Sequence, residues 1–350
     1  MSSAQALEQL PPASVRIAID ALGGDHGSAV VVDGALLALD SDPLLSVLLV
    51  GPPSALRDLL DSIAATGRSV PLGRIDIVEA LEGVPMGADP AAAVRARRGT
   101  SVRVAAELVQ RGRADAFLSA GQTAAALAAA TFVLGRLRGI TRPALAVVLP
   151  ALAGPVVLLD AGAGTGMTAD LLVQHALAGA CYAEALGIDQ PRVGLLTVGG
   201  EAGKGDATRR EAHELLEALP LRYVGPVEGH DLSSGRHADV VVTDGFTGNV
   251  ALKALEGAVA WTAHHLGERY GDPGPARALI ADISHSEFAA GMLVGVAGVS
   301  VVAHGSADAG AIAAAAALAA LAARTGLVDR TGSRLAELVA ARRYEMGLRT

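Results

Sequence analysis

Short apolar runs rich in β-branched residues and leucine alternate with amphipathic stretches along the whole chain. The stretches over 28–39, 54–65 and 101–111 have the periodicity of helices. Because the apolar runs lack polar alternation and are separated by helices, they predict an α/β fold with a mainly parallel sheet and helices on both faces. The predicted strands are 15–19, 45–50, 75–78, 116–118, 144–149, 156–159, 193–198, 223–224, 240–243 and 299–303.

The pattern continues without a break, and no linker rich in Pro or Ser divides the chain. We therefore expect a flexible N-terminus over 1–13, followed by a single α/β domain over 14–350. Near its end, the segment 309–323 is nearly pure Ala and Leu and predicts a tightly packed helix. The segment 332–347 predicts a capping helix.

The composition narrows the class of protein. The chain has 350 residues, 51% of them apolar, and this supports a large core rather than disorder. Two uncharged windows reach membrane-spanning length, 116–135 and 288–307, but Gly, Ser, Thr or Gln dilute both, and they predict buried strand–helix pairs. No secretory signal is visible, and the single Cys181 excludes an intramolecular disulfide. We expect a soluble, cytoplasmic protein.

Charge and aromatic content argue against nucleic acid as a partner. The formal net charge is −8, which disfavours nonspecific binding to phosphate backbones. Aromatic residues make up only 3% of the chain, too few to indicate a base-stacking surface. The nine histidines are scattered, and His264 and His265 are expected on a solvated helix face. The sequence indicates no metal site.

Glycine-rich polar segments follow six of the predicted strands. In parallel α/β sheets, ligands bind outside the carboxyl ends of the strands, and glycine lets a backbone approach an anion closely. Six such segments, with Asp, Thr, Lys, Asn and His embedded in them, predict a binding site. They are 20–25 (DALGGD), 119–123 (SAGQT), 160–164 (DAGAG), 199–205 (GGEAGKG), 244–249 (DGFTGN) and 304–306 (HGS).

Lysine usage adds a second indication of an anion site. Of 28 basic residues, only Lys204 and Lys253 are lysines, and both lie in or just after a glycine-rich segment. A compact ammonium group binds phosphate as a point charge, which the forked guanidinium group does not reproduce.

One motif allows a different interpretation. The segment 160–166 (DAGAGTG) resembles the first motif of methyltransferases that use S-adenosylmethionine. Such folds place this turn near the start of the domain, whereas about six strands precede it here. Met167 stands where a dinucleotide fingerprint needs a glycine, and the Lys204 segment departs from the Walker pattern. A methyltransferase is kept as a remote alternative.

The whole chain resembles the PlsX family, the bacterial phosphate acyltransferases of phospholipid synthesis. The resemblance spans roughly residues 15–325. The segments that carry it are 17–26 (IAIDALGGDH), 114–121 (ADAFLSAG), 142–144 (RPA), 191–196 (PRVGLL), 228–231 (EGHD), 238–253 (ADVVVTDGFTGNVALK), 256–257 (EG), 295–298 (GVAG) and 304–306 (HGS).

This resemblance implies a fold like that of the isocitrate and isopropylmalate dehydrogenases and the phosphotransacetylases, in a homodimer. It implies a reaction in which acyl carrier protein (ACP) gives its acyl group to inorganic phosphate, with no cofactor. Because phosphate itself is the nucleophile, no Ser–His or Cys–His pair is needed, and Cys181 is expected in the core. Family members also associate peripherally with membranes, and the sequence leaves this open here.

The enzyme must hold a phosphate dianion beside a thioester and stabilise a tetrahedral oxyanion. The expected catalytic residues are Lys253, Asp244, His304 and Asn249, with Asp244 and His304 as proton handlers or orienting groups. The expected phosphate and acyl binding residues are Asp20, Gly23, Gly24, Asp25, Ser119, Gly121, Thr123, Asp160, Lys204, Gly205, Thr247, Gly248 and Ser306. We expect Lys204, Lys253, 247–249 and 119–123 to converge on one anion pocket.

The chain departs from the family pattern in several of these loops. The changes leave open a paralogue with another acyl donor, such as acyl-CoA, a weakened enzyme, or a scaffold without activity. The departing residues are Gln122, Ala124, Gly164, Thr197, Gly200 and Asp206.

An arginine-rich segment indicates where ACP docks. Nine arginines and only two acids lie between residues 95 and 142, a local charge of +7. ACP is a small acidic protein, so its docking surface should be positive. An alternative is that these arginines pair with acids elsewhere in the chain. The expected docking residues are Arg95, Arg97, Arg98, Arg103, Arg136 and Arg138.

Overall fold

The computed structural model describes residues 13–85, 87–164, 166–201, 203–284 and 290–345. In chain order the strands are β1 (Val15–Asp20), β2 (Leu45–Gly51), β3 (Ile75–Glu79), β4 (Ala116–Ser119), β5 (Ala144–Leu149), β6 (Val156–Leu159), β7 (Val193–Leu196), β8 (Tyr223–Val227), β9 (Val240–Val242), β10 (Ala290–Val294) and β11 (Val299–Ala303). The helices are α1 (Gly27–Ser41), α2 (Pro53–Ala65), α3 (Pro90–Ala96), α4 (Ser101–Gln110), α5 (Thr123–Ala129), α6 (Ala169–Ala185), α7 (Ala207–Glu217), α8 (Asp231–Ser234), α9 (Gly245–Tyr270), α10 (Gly274–Ser284), α11 (Ala309–Arg324) and α12 (Leu327–Glu345).

The chain divides into two compact units. Unit 1 comprises Met1–Leu137 and Ala289–Asp329, and unit 2 comprises Arg138–Phe288 and Arg330–Thr350. Each unit has its own run of hydrogen-bonded strands. The single domain expected over 14–350 stays a prediction.

In unit 1 the strand order is β3-β2-β1-β4-β11-β10. All neighbours are parallel except β10 and β11, which are antiparallel. The register pairs Asp20, at the end of β1, with Val50 of β2 and Ser119 of β4. Three strands therefore end level, and the loops that follow them leave the sheet at the same edge.

The helix α11 shows why an almost pure Ala and Leu sequence suits this position. Nine of its sixteen residues are buried, among them Ala315, Ala319 and Leu318. Its partner α1 approaches so closely that a Cβ on Gly34 would lie 2.5 Å from the Cβ of Ile312. Small side chains permit this separation, and the close contact gains dispersion energy along both helices. The packed helix predicted over 309–323 is confirmed.

In unit 2 the strand order is β5-β6-β9-β7-β8. The pair β5–β6 is antiparallel, and the other pairs are parallel. Helix α6 packs on this sheet, where a Cβ on Gly179 would lie 2.8 Å from side-chain carbons of Leu159 and Val240. Cys181 is buried in the same helix, as expected, and burial raises the pKa of its thiol to about 12.

Helix α9 is the longest helix in the described part of the chain and has few buried residues. Over 26 residues it buries Gly245, Gly248, Ala263 and Gly267. At its first turn the helix lies directly on the loop after β6. A Cβ on Gly248 would overlap the carbonyl oxygen of Asp160, and one on Gly245 would overlap the carbonyl oxygen of Gly164. Only glycine allows this approach of backbone to backbone.

Most elements predicted from the pattern are confirmed, including all ten strands and a mainly parallel α/β fold. The strand predicted over 193–198 ends earlier, at Leu196, and Val198 is 84% exposed. The window 288–307 was predicted as a strand–helix pair, and this is wrong. It contains two antiparallel strands, β10 and β11, because Gly295 takes a φ of +96° and lets the chain reverse between them.

The window 116–135 does form a buried strand followed by a helix, β4 and α5. The predicted last helix begins earlier than 332, at Leu327, directly after Gly326 with its positive φ. In the described part of the chain, no single helix is long and apolar enough to cross a membrane. Helix α11 and residues 327–337 of α12 form a bent pair that together has the length and apolar composition of a membrane span.

Two of the glycines of α9, Gly248 and Gly257, provide a direct test of the packing. Gly248→Ala should destabilise unit 2 by about 1–3 kcal/mol, because the new methyl group overlaps a backbone carbonyl that cannot move aside cheaply. Gly257→Ala, at a position with open space around it, should stabilise the same helix by up to about 1 kcal/mol. Urea denaturation measures both, and equal effects of the two variants would contradict the packing described here.

Candidate functional site

Asp20, at the end of β1, organises the first group of loops in unit 1. Its carboxylate is 3% exposed and accepts hydrogen bonds from the Ser119 hydroxyl at 2.7 Å and from the backbone N–H of Leu22 at 3.1 Å. The Ser119 oxygen in turn accepts from the N–H of Gly121. Burial raises the pKa of Asp20, although hydrogen bonds from Ser101 and Ser119 oppose the shift.

These bonds draw the loops 20–25 and 119–123 together. A Cβ on Gly23 would lie 2.7 Å from the amide nitrogen of Gly121, so the two glycines make a close backbone contact. Loop 304–306 joins them, because the N–H of Asp25 donates to the carbonyl of Gly305 at 2.7 Å. Three of the six glycine-rich segments therefore meet in unit 1, and Thr123 opens α5 beside them.

His304 lies in this loop cluster, with its Nδ1 2.7 Å from the Ser306 hydroxyl oxygen. The N–H of Ser306 also points to the same ring nitrogen, at 3.2 Å. The geometry ties His304 and Ser306 to each other. It fits an orienting role for His304 as well as a proton-handling one.

Asp160, at the end of β6, organises the loops of unit 2. Its carboxylate has 0% exposure, and one oxygen accepts hydrogen bonds from the N–H groups of Leu145, Gly162 and Ala163 at 2.8–3.1 Å. The other oxygen accepts from Gly164 at 2.9 Å. Four backbone donors on one carboxylate fix the course of this loop. Asp160 is thus a positioning group whose oxygens are already engaged.

Two basic side chains surround this turn. Arg142 donates through Nη1 to the carbonyl of Gly166, and its own carbonyl contacts Nε2 of His175 at 3.1 Å. His175 is almost fully buried in α6, and burial lowers its pKa, although the charge of Asp160 opposes the shift. Sequence analysis did not select His175, because a lone His in an apolar helix gives no functional signal.

The first turn of α9 lies against this loop. Asp244 caps the helix: one oxygen accepts the N–H of Thr247 at 2.9 Å and the other accepts the Thr247 hydroxyl at 2.7 Å. A Cβ on Gly162 would lie 3.5 Å from the amide oxygen of Asn249, so the Asn249 side chain borders the Asp160 loop. The structure thus brings together the predicted residues Asp160, Asp244, 247–248 and Asn249.

Asp244 is held as an anion. Burial opposes its ionisation, but hydrogen bonds from Thr247 and Arg209 outweigh burial and lower its pKa. A carboxylate with a lowered pKa and fixed donors is a poor proton carrier near neutral pH. Of the two expected roles, the geometry favours the orienting one.

The Lys204 loop follows β7. The Thr197 hydroxyl donates to the carbonyl of Gly199 at 2.5 Å, and the N–H of Gly200 donates to Glu228 at 3.2 Å. The Lys204 side chain is 53% exposed, and its Nζ lies 3.9 Å from a carboxylate oxygen of Glu201. A small pocket opens beside it. Its polar and charged lining residues are Thr197, Lys204, Arg209, Arg210, His213 and Glu214.

Lys253 has a different environment. It lies one turn after Asn249 on α9, is exposed, and donates to Glu256 at 2.7 Å. Its ammonium group is therefore already paired within its own helix. The predicted convergence of both lysines with 119–123 on one anion pocket stays a prediction.

The departures from the family pattern have local explanations. Asp206 caps α7 through the N–H of Arg209 at 2.8 Å, a role that Asp and Asn perform equally well. Gly164 leaves room for Arg142, whose Cδ would lie 3.1 Å from a Cβ at this position. Asp206 and Gly164 therefore both fit the local geometry of their loops.

Most of the arginines predicted to dock ACP are exposed. Arg97 pairs with Glu82 at 3.1 Å, and Arg95 lies over the ring of Phe132 at 4.6 Å. Arg103 does not fit the prediction, because its side chain is only 16% exposed and is held by Glu107 and the carbonyl of Val94. The exposed members are Arg95, Arg97, Arg98 and Arg136 in unit 1 and Arg138 in unit 2.

Comparison with known proteins places the chain in a family. The sequence profile of a family described as fatty acid synthesis proteins matches residues 15–330. The chain belongs to this family. A phosphate acyltransferase of Desulfitobacterium hafniense is 41% identical over 311 residues, which cover 85% of this chain and 90% of that protein. Another, of Alkalilimnicola ehrlichii, is 39% identical over 341 residues, or 94% and 98% of the two chains. The resemblance to the PlsX phosphate acyltransferases is confirmed.

Solved structures confirm the implied fold. A phosphotransacetylase from Streptococcus pyogenes superposes with a TM-score of 0.61 at 18% identity, over 94% of this chain and 98% of the other. A 4-hydroxythreonine-4-phosphate dehydrogenase from Klebsiella pneumoniae gives 0.54 at 16% identity, over 89% and 100%. At these identities the likeness concerns the fold alone.

The lowered pKa of Asp244 predicts a pH-dependent contribution to stability. Above pH 3.8, the ordinary pKa of an aspartate, ionised Asp244 stabilises the folded state. This stabilisation is lost as the pH falls through the lower pKa that Asp244 has in the folded chain. Asp244→Asn should therefore be less stable than the native chain at pH 7, and the difference should shrink below pH ~4. Urea denaturation across this range measures it. Asp76→Asn, at an exposed position, is the control, and a difference that grows on acidification would contradict the assignment.

Proposed function

We propose that this chain transfers a fatty acyl group from acyl-ACP to inorganic phosphate, giving acyl phosphate and free ACP. The observation that carries the proposal is the loop cluster of unit 2 in a chain of this family. There Asn249, after β9, borders a loop after β6 that Asp160 fixes, and Lys204 follows β7 in the same unit. Ligands of parallel α/β sheets bind at this end of the strands.

The reaction balances without a protein nucleophile. A phosphate oxygen attacks the thioester carbonyl carbon, and a tetrahedral oxyanion forms. The oxyanion collapses, the C–S bond breaks, and the carrier leaves as a thiolate that takes up a proton. The protein must neutralise the dianion and donate hydrogen bonds to the oxyanion.

The described side chains suit these tasks. Lys204 is half exposed, and its ion pair with Glu201 among the described residues is a long one, at 3.9 Å, so we expect its ammonium group to be available to phosphate. Asn249 lies beside the Asp160 loop and carries an amide that donates hydrogen bonds. Cys181 has no part in the reaction, because it is buried with a raised pKa.

The methyltransferase interpretation of 160–166 has no support in the geometry. The Asp160 carboxylate is fully buried and engaged by four backbone donors, so it is not free to bind a ligand hydroxyl.

The test is an assay with purified acyl-ACP and phosphate that follows released thiol. We expect thiol release that depends on phosphate. Lys204→Ala and Lys253→Ala should raise the KM for phosphate, by about tenfold or more where the ammonium group contacts the anion. Melting temperatures should stay near that of the native chain. Unchanged phosphate kinetics in both variants would contradict the lysine assignment.

The same assay separates the alternatives. Activity with acyl-CoA but not with acyl-ACP would identify a paralogue with another donor. Folded protein without phosphate-dependent thiol release from either donor would contradict the proposed reaction and leave a scaffold.

We also propose that ACP docks on the exposed arginines around Arg97 and Arg98. Reversing both to Glu should weaken the use of acyl-ACP strongly, because acidic ACP would then meet like charge. The KM for phosphate should change little, and activity of the native chain on acyl-ACP should fall with added salt. Reversal of Arg57 and Arg222, which changes the net charge equally, is the matched control. Equal activity of both double variants at low salt would contradict the docking surface.

The homodimer and a peripheral membrane contact are further parts of the proposal. The family resemblance supports both. Light scattering measures the mass of the protein in solution, and liposome flotation measures membrane binding.

A further inference from the structure

Arg209, in the first turn of α7, makes four side-chain hydrogen bonds and was not selected from the sequence. Its Nε donates to the carbonyl of Leu196 at 3.0 Å, and its Nη1 contacts Asp206 at 2.6 Å. Its Nη2 donates to the Thr243 hydroxyl at 3.2 Å and to Asp244 at 2.5 Å. The Arg209 side chain is 15% exposed.

These contacts join two separate parts of the candidate site. Leu196 ends β7 and Asp206 closes the Lys204 loop, so one side of the guanidinium group holds both ends of that loop. Thr243 follows β9 and Asp244 caps α9, whose first turn carries Asn249. One planar group therefore spans the two segments.

The charges explain why arginine suits this position. Asp206 and Asp244 each cap a helix with one oxygen, and each presents the other oxygen to Arg209. A single cation between two carboxylates neutralises part of their repulsion, and the forked geometry fixes their separation. A lysine supplies the charge without the fork.

Four of the five N–H groups of Arg209 already donate to protein oxygens, so protein contacts fix its guanidinium group. Its effect on the reaction is therefore expected through the residues that it holds. The aspartate at 206, where the family pattern has Asn, gives the guanidinium group a charged partner in this loop.

We propose that Arg209 is a positioning residue for acyl transfer, which holds the Lys204 loop and the first turn of α9 in one fixed arrangement. The proposal rests on the proposed function, since Lys204 and Asn249 act on phosphate and thioester there. Displacement of a substrate-positioning group by about 1 Å costs up to about 100-fold in rate. Loss of Arg209 should therefore impair phosphate use even when the protein stays folded.

The experiment compares Arg209→Met, Arg209→Lys and the control Arg222→Met, which removes an exposed arginine of the same unit. Arg209→Met should raise the KM for phosphate by about tenfold or more and lower kcat, with the KM for acyl-ACP nearly unchanged. Arg209→Lys should recover part of the loss, because it restores the charge. Arg222→Met should behave like the native chain.

Hydrogen exchange gives a readout that does not depend on activity. In Arg209→Met, the backbone amides of two segments should exchange faster: the Lys204 loop (199–201 and 203–206) and the first turn of α9 (245–249). The amides of β6 and α6 should stay protected. Faster exchange in only one segment, or across the whole of unit 2, would overturn a linking role. So would a phosphate KM equal to that of Arg222→Met. An inactive native chain would instead overturn the proposed function, and the exchange result would still decide whether Arg209 links the segments.

Discussion

A buried carboxylate at the end of a strand is the constraint on which the site of unit 2 depends. Asp160 has 0% exposure, and a charge in that position is tolerated only when hydrogen bonds replace its water. Four backbone N–H groups do so, and they bend the loop after β6 around the carboxylate. The carbonyl oxygen of Asp160 lies directly against Gly248, in the first turn of α9. Unit 1 uses the same device at Asp20, which ties its own loop to Ser119.

This constraint assigns the acidic residues and the basic residues to different tasks. Asp160, Asp206 and Asp244 are engaged by backbone donors or by Arg209, so they fix loops and helix starts. The Lys204 side chain, in the loop that Asp206 closes, is half exposed. An enzyme whose nucleophile is phosphate needs this arrangement more than it needs a reactive side chain, because its main task is to hold and neutralise a dianion.

The sequence predicted the parts of the fold that depend on local pattern. Apolar runs marked all ten expected strands, and glycine-rich segments marked the loops that cluster in each unit. The pattern failed in the window 288–307, where β10 and β11 are joined by a tight turn at Gly295. The uncharged composition of this window is equally compatible with a strand followed by a helix. Composition carries no information about that reversal of the chain.

The positioning residues were harder to find from sequence. Arg209 lies four residues beyond the glycine-rich segment 199–205, in a chain where arginine is common, and its contacts include a partner 35 positions away. Asp244 is predicted as a site residue from its glycine-rich segment, whereas its role as a fixed anion follows from contacts with Thr247 and Arg209. Arg103 was selected from local charge, whereas its side chain turns inward to Glu107. Such distinctions require three-dimensional contacts.

The identity of the nucleophile is the central claim, and oxygen labelling tests it directly. Acyl-ACP is incubated with the protein and with phosphate in which all four oxygens are ¹⁸O. The mass of the acyl product is then measured by mass spectrometry. We expect acyl phosphate that retains all four labelled oxygens, one of them bonded to the acyl carbon. Unlabelled free fatty acid beside unconsumed labelled phosphate would show that water attacks the thioester, and it would contradict the account.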